Sequence, residues 1–240
     1  MGNWDAADTG LMACWVLVHS PLLNPMFWGP VAAVLRGRGQ LVFTADMSGA
    51  LAKGRGYADT QADLVASAVD SDLARLVAHS GAGPILPVMA EKLRSRGVTV
   101  SDSVFVDAGL PHPGHSRFAV LPEPAVAHLL SMIVDGWLPP WPSWWSPEEL
   151  REMVSDADLR RQLVAACPQL PVGLFSEPMP AGDQIAMGRL RFCRLSSTYD
   201  TAADQAARDG WEVMRLATHH LAPMTDPESV TDAIKKLAAR

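Results

Sequence analysis

Cysteine is scarce in this chain: 240 residues hold three, Cys14, Cys167 and Cys193, an odd number with no CxxC spacing. That arithmetic speaks against a disulfide framework and against a zinc site, and a reducing, cytoplasmic setting is expected. Basic charge is also short. Lys and Arg number 20 against 26 Asp and Glu, a net charge of −6, so there is no positive footprint for phosphates and nucleic acid is not an expected partner. No apolar run approaches the roughly 18 residues of a membrane span. The Leu11 to Val18 run is too short and follows Asp5 and Asp8 rather than Lys or Arg, so neither a signal peptide nor a membrane anchor is expected. The opening Met1-Gly2-Asn3-Trp4-Asp5-Ala6 has Ala where a myristoylation signal wants Ser or Thr. Internal repeats and low-complexity tracts are lacking too. What is present, 48% apolar and 19% charged residues, is the composition of a folded chain with one sizeable core. Its expected partners are small molecules or other proteins, with a homo-oligomer left open.

Buried strands alternate with helices over the first half. Trp15-Val16-Leu17-Val18 is a short apolar run stopped at His19-Ser20-Pro21, the pattern of a strand covered on both faces. Trp28 to Leu35 has helical spacing, and Leu41 to Asp46 is a second strand. The pattern repeats with a helix over Ala58 to Val69, a strand over Leu73 to Ala78, a helix over Pro84 to Arg96 and a fourth strand over Ser103 to Asp107. Such alternation implies a parallel sheet with helices on both faces. It stops between Ala108 and Ala181, a stretch rich in Pro and Trp where Trp137, Trp141, Trp144 and Trp145 cluster. Ser146-Pro147-Glu148-Glu149 within it is a capped helix start. Long insertions of this kind usually serve function, often as a lid. Strands over Leu190 to Leu195 and Trp211 to Leu216 and helices over Ala202 to Arg208 and Pro227 to Leu237 complete the chain. The expected architecture is an α/β core of residues 1–107 and 182–240, interrupted by a cap at 108–181.

Chemistry concentrates at loop positions that follow strands. Ala78-His79-Ser80-Gly81-Ala82-Gly83 puts a serine between a strand and a helix, with Ala78 and Ala82 as the small residues that a tight nucleophile turn requires. A serine there lies at the carboxyl end of the sheet, against a helix N-terminus able to stabilise a developing oxyanion. His220, in the loop after the last strand, is the expected base, because imidazole can take and return a proton near neutral pH. The acid that orients it is expected in the loop after the next-to-last strand, where Asp200 stands. Asp107, ending the fourth strand, competes for that role. His79 is expected to pack or to form a wall of the site. His112 and His115 lack a carboxylate or cysteine at ligand spacing, so no metal is expected. Gly54-Arg55-Gly56 is too short for a phosphate loop, and no cofactor is called for.

Taken together, His19-Ser20-Pro21, the elbow at Ser80, Val104-Phe105-Val106-Asp107, Asp200, and His220 followed by Pro227 resemble the α/β-hydrolase superfamily over nearly the whole chain. Within it, the short N-terminus, the serine and the cap after the fourth strand resemble compact bacterial esterase-like and hydroxynitrile-lyase-like members. The resemblance implies the α/β-hydrolase fold, a mostly parallel sheet flanked by helices, with Ser80 as nucleophile, Asp200 as orienting acid and His220 as base. Serine at the elbow argues against epoxide hydrolases and haloalkane dehalogenases, which carry aspartate there. One departure stands out: where the family has His-Gly after the first strand, this chain has His19-Ser20-Pro21-Leu22, and Pro21 has no N–H to give. The oxyanion donors are then expected from Gly81 together with the Leu22 N–H or the Ser20 hydroxyl.

The function these residues imply is hydrolysis of a carboxylic ester, thioester or lactone of an apolar small molecule through an acyl-enzyme on Ser80. Trp137, Trp141, Trp144, Trp145 and His79 are expected at the substrate pocket. The Pro21 departure supports an alternative, a cofactor-independent lyase, isomerase or cyclase of secondary metabolism that uses the same residues for proton transfer. A non-catalytic binding module on a degenerate scaffold is a third class.

Overall fold

A computed structural model of the protein describes residues 12–239. The N-terminal Met1 to Ala6 motif and the start of the Leu11 to Val18 run lie outside the described residues. Six parallel strands form the central sheet: β1 (Cys14–Val18), β2 (Val42–Thr44), β3 (Leu73–Ser80), β4 (Thr99–Ala108), then β7 (Arg189–Arg194) and β8 (Glu212–Arg215). Their spatial order is β2-β1-β3-β4-β7-β8. The chain first builds outward from β1 to β2 and then crosses back to β3. The crevice over the carboxyl ends of β1 and β3 is therefore a topological switch point, where ligands bind in open α/β sheets.

The strands are apolar on both faces because helices cover both. On one face Val16, Val18, Leu76, Ala78 and Phe105 pack with residues of α2 (Tyr57–Ala68), α3 (Leu86–Ser95) and α9 (Asp200–Arg208). On the other, Trp15, Leu17, Val77, Val104 and Val106 pack with α1 (Gly29–Gly37) and α11 (Pro227–Ala238). Trp15, Trp28, Phe27 and Phe105 are among the largest fully buried side chains, each stabilising the fold by about 1.5–3 kcal/mol on an area basis. Among the described residues no helix is long and apolar enough to cross a membrane.

Two strands differ instructively from the sequence pattern. β2 spans three residues, shorter than the apolar run, because it is an edge strand paired only with β1. β4 begins at Thr99, four residues before the expected start, since its polar residues are buried with partners: Ser103 Oγ donates to the Met187 carbonyl at 2.7 Å. Asp102, fully buried, is ion-paired with Arg189 at 2.9 Å and Arg191 at 3.3 Å.

Between β4 and β7 the chain leaves the sheet. This excursion holds α4 (Arg117–Val120), α5 (Glu123–Ser131), α6 (Pro147–Met153), α7 (Ala157–Ala166) and α8 (Gly173–Ser176), with a two-strand ribbon of β5 (Trp137–Leu138) and β6 (Leu170–Pro171). Ser146 caps α6 and is capped in return by Glu149. Leu129, Leu138, Leu170, Leu174 and Phe175 form a separate small core that includes Tyr57 of α2. The chain re-enters the sheet past Gly182, packed against Pro87 and Val88 of α3. After β8 come α10 (Ala222–Thr225) and then α11.

The turn after β3 is the tightest point of this framework. A methyl group on Gly83 would stand 2.1 Å from the Gly109 carbonyl oxygen, a backbone atom that a rotamer change cannot move. Gly83→Ala is expected to lower stability by about 1–3 kcal/mol, the usual cost of overpacking, seen as a lower urea midpoint with an unchanged slope.

Candidate active site

Ser80 ends β3 with φ +55°, a left-handed conformation rare for a residue with a side chain. The β3/β4 register shifts between His79 and Ser80, so that His79 pairs with Val106, Ser80 with Ala108, and Asp107 is passed over. Gly81 follows it, and a helical turn at Gly83–Ile85 leads into α3. This is the strand-turn-helix elbow that the sequence motif implies. Strain recurs at Asp107, φ +42°, near the carboxyl end of β4. Backbone strain of this kind persists only where surrounding structure holds it, and it gathers at functional sites.

The acid beside the imidazole is Asp107. His220 Nδ1 donates to Asp107 Oδ2 at 3.0 Å. The same carboxylate, fully buried, accepts from the N–H groups of Leu195 at 2.6 Å and Ser196 at 3.0 Å, and from the Ser196 hydroxyl at 2.6 Å. Burial alone would raise its pKa, but the His220 and Ser196 hydrogen bonds outweigh that and hold it below the ordinary carboxylate value. Because an ionised carboxylate only accepts, Nδ1 carries the proton and the Nε2 lone pair is left for chemistry.

Asp200, expected in this role, is not brought to the histidine. It opens α9 and is ion-paired with Arg194 at 2.7 Å and Arg215 at 3.3 Å, its side chain nearly half exposed. The correction has a physical cause. Two arginines on the adjacent strands β7 and β8 capture the carboxylate that opens α9, while the hydroxyl and two N–H groups of the β7 loop converge on Asp107.

Ser80 Oγ lies 3.2 Å from the Tyr199 hydroxyl, and the Tyr199 ring stacks on His220 with centroids 5.1 Å apart and planes 7° apart. One phenol thus touches both residues. Its pKa is pushed up to about 12, chiefly by burial, so it is neutral at physiological pH. His79 Nε2 donates to the His220 carbonyl at 3.0 Å, and its ring is stacked between Phe27 and His220. His79 is fully buried, and desolvation holds its pKa well below the ordinary imidazole value.

On the oxyanion side, the Leu22 N–H already donates to Ser20 Oγ at 3.3 Å, so the expected Leu22 donor is spent within its own turn. The Ser20 hydroxyl keeps its proton and lies against the elbow: a methyl on Gly81 would meet Ser20 Oγ and Arg117 Nη1, each at 3.2 Å. Arg117 is buried, and its pKa is lowered by desolvation to about 10, which leaves it cationic. It also lines a cavity of about 90 Å³ together with Tyr57, Gln61, Leu174, Glu177 and Met179. None of the four clustered tryptophans lines that cavity. Trp141 is buried in the same apolar cluster as Leu150, Val154 and Leu163 of the excursion, and the Trp144 ring centroid sits 6.1 Å from that of Phe175, while Trp137 and Trp145 are partly exposed.

Sequence reasoning missed Tyr199 and Arg117. Both left a trace: Tyr199 is one of two tyrosines, and no acidic residue lies within five positions of Arg117.

The architecture has counterparts among solved structures. An extracellular α/β-hydrolase from a Paenibacillus species, described as sharing structural and functional homology with tobacco salicylic acid binding protein 2, superposes with a TM-score of 0.73 at 16% identity over 94% of this chain and 98% of that one. The chain has the α/β-hydrolase fold. A pyrethroid hydrolase from Sphingobium faniae matches with a TM-score of 0.66 at 20% identity, covering 95% of this chain and 98% of its own. Tomato methylketone synthase I, complexed with 2-tridecanone, matches at 0.71 and 16% identity over 95% and 98%. No protein-family model and no curated protein matches the sequence.

The depressed Asp107 pKa fixes the sign of a pH effect. Stability from its ionised form is complete above the unfolded-state value, about 3.9 for aspartate, and is lost as pH falls through the lower folded value. Wild type should therefore exceed Asp107→Asn in urea midpoint at pH 6, with the gap closing below about pH 4.

Proposed function

We propose that this protein is a serine hydrolase that opens a carboxylic ester, thioester or lactone through an acyl-enzyme on Ser80. The reading is carried by one observation, the His220 to Asp107 hydrogen bond beneath a serine held at positive φ. As substrate enters, the Ser80 hydroxyl exchanges its contact with Tyr199 for one with His220 Nε2. His220 takes the proton as Ser80 attacks the carbonyl carbon. Asp107 stabilises the imidazolium that forms. The Gly81 N–H and the Ser20 hydroxyl receive the oxyanion, the hydroxyl replacing the amide that Pro21 lacks. His220 then protonates the leaving group, activates water against the acyl-enzyme, and returns the proton to Ser80. The excursion at 108–181 acts as a cap, and its Leu174, Pro178 and Met179 give the cavity an apolar wall suited to a largely apolar substrate.

A fluorophosphonate probe should label Ser80 in wild type and not in Ser80→Ala, with ester turnover falling at least about 10⁴-fold in that variant. Asp107→Asn should lose about 10⁴-fold, whereas Asp200→Asn stays close to wild type. A reversed order for the two aspartates would reject the assignment.

The contact between Ser80 and Tyr199 favours a second reading, a lyase, isomerase or cyclase in which these residues move protons without an acyl intermediate. The solved neighbours include a methylketone synthase beside the hydrolases. Tyr199→Phe separates the two: under the hydrolase reading it changes kcat for p-nitrophenyl esters by less than about 10-fold. A general-acid role for the phenol would cost about 10²–10⁴-fold.

A further inference from the structure

Arg117 has no task in the acyl-transfer scheme, yet it is the costliest side chain near Ser80 to leave as it stands. Its exposure is 7%, and Nε and Nη2 make no hydrogen bond to any described residue. Acids within reach of the same cavity are already engaged. Glu177 accepts from the N–H groups of Gly56 at 3.0 Å and Tyr57 at 3.2 Å, and Asp59 faces Lys92 at 3.9 Å. An uncompensated buried cation opposes folding, so its retention calls for a partner that arrives from outside.

A second orphan lies on the same cavity. Gln61 is fully buried on α2, and neither its Nε2 nor its Oε1 has a partner. A guanidinium and an amide, both with buried polar atoms that have no hydrogen-bond partner among the described residues, line one cavity whose Arg117 end lies against Gly81, the residue after Ser80. A guanidinium presents parallel donors that match the two oxygens of a carboxylate, and the amide adds a further donor. The cavity is several times larger than a single water requires.

We propose that Arg117 and Gln61 bind a carboxylate carried by the substrate, so that the molecule attacked at Ser80 is an acid-bearing ester, thioester or lactone with an apolar body. The substrate class rests on the hydrolase reading; the carboxylate site itself does not.

The test uses two esters of equal acyl length, p-nitrophenyl valerate, which is neutral, and mono-p-nitrophenyl glutarate, which carries a carboxylate. Wild type should favour the glutarate ester in kcat/KM by about 10-fold or more, mainly through KM. Arg117→Met should lose about 100-fold on the glutarate ester with the valerate rate little changed, and Arg117→Lys should recover part of the loss. Equal losses on both esters would overturn the proposal, since they would place the guanidinium at the oxyanion. Arg117→Met should also melt no lower than wild type, because it removes an unpaired buried charge; a large drop would show the guanidinium holding the fold instead. Calorimetric titration of glutarate into Ser80→Ala reads the site without acyl chemistry. Binding that disappears in Ser80→Ala/Arg117→Met supports it even if no fluorophosphonate labels wild-type Ser80. No glutarate binding alongside normal Ser80 labelling refutes the carboxylate site and leaves the hydrolase reading standing.

Discussion

One buried carboxylate organises the carboxyl edge of the sheet. Asp107 receives donors from Leu195, Ser196 and His220, so it ties the end of β4 to the loops that follow β7 and β8. A charge without solvent is tolerable only when its oxygens are filled, and here the groups that fill them are the ones that set the imidazole's orientation. The left-handed backbone at Asp107 is the local cost of aiming the side chain across its neighbour strand. Stability and chemistry therefore draw on the same atoms, which is why the histidine can sit in a loop and still be held in one tautomer.

Opposite that anchor, the surroundings of Ser80 depart from a plain backbone-amide cradle. Pro21 removes an amide donor from the loop after β1, and the Leu22 N–H turns inward to Ser20. The Ser20 hydroxyl and Arg117 Nη1 both lie against Gly81 at that spot. Across the site, the Tyr199 phenol bridges the space between serine and imidazole. A hydroxyl can rotate between partners where a backbone amide cannot.

The framework was legible in the sequence because burial on both faces leaves runs such as Trp15 to Val18, and because the small residues flanking Ser80 are a steric requirement of the elbow. His220 was legible from chain order. The acid was not. Asp107 near the end of β4 and Asp200 shortly after β7 both stand at the carboxyl side of sheet strands, and what separates them is the pair Arg194 and Arg215, whose proximity to Asp200 depends on strand pairing. The tryptophans misled for a related reason. Ring area predicts burial but not against what, and Trp141 and Trp144 bury against the core and Phe175. Leu22 failed through a two-residue side-chain contact that composition does not encode.

Placing the acid on β4 has an effect on the design freedom of the neighbouring segment. Residues 196–200, which do not supply the carboxylate beside His220, contribute instead a phenol at Ser80 and a carboxylate that cross-links the last two strands through Arg194 and Arg215. Substitutions at position 199 can therefore change the surroundings of Ser80 while the pair of His220 and Asp107, anchored one strand away, stays intact.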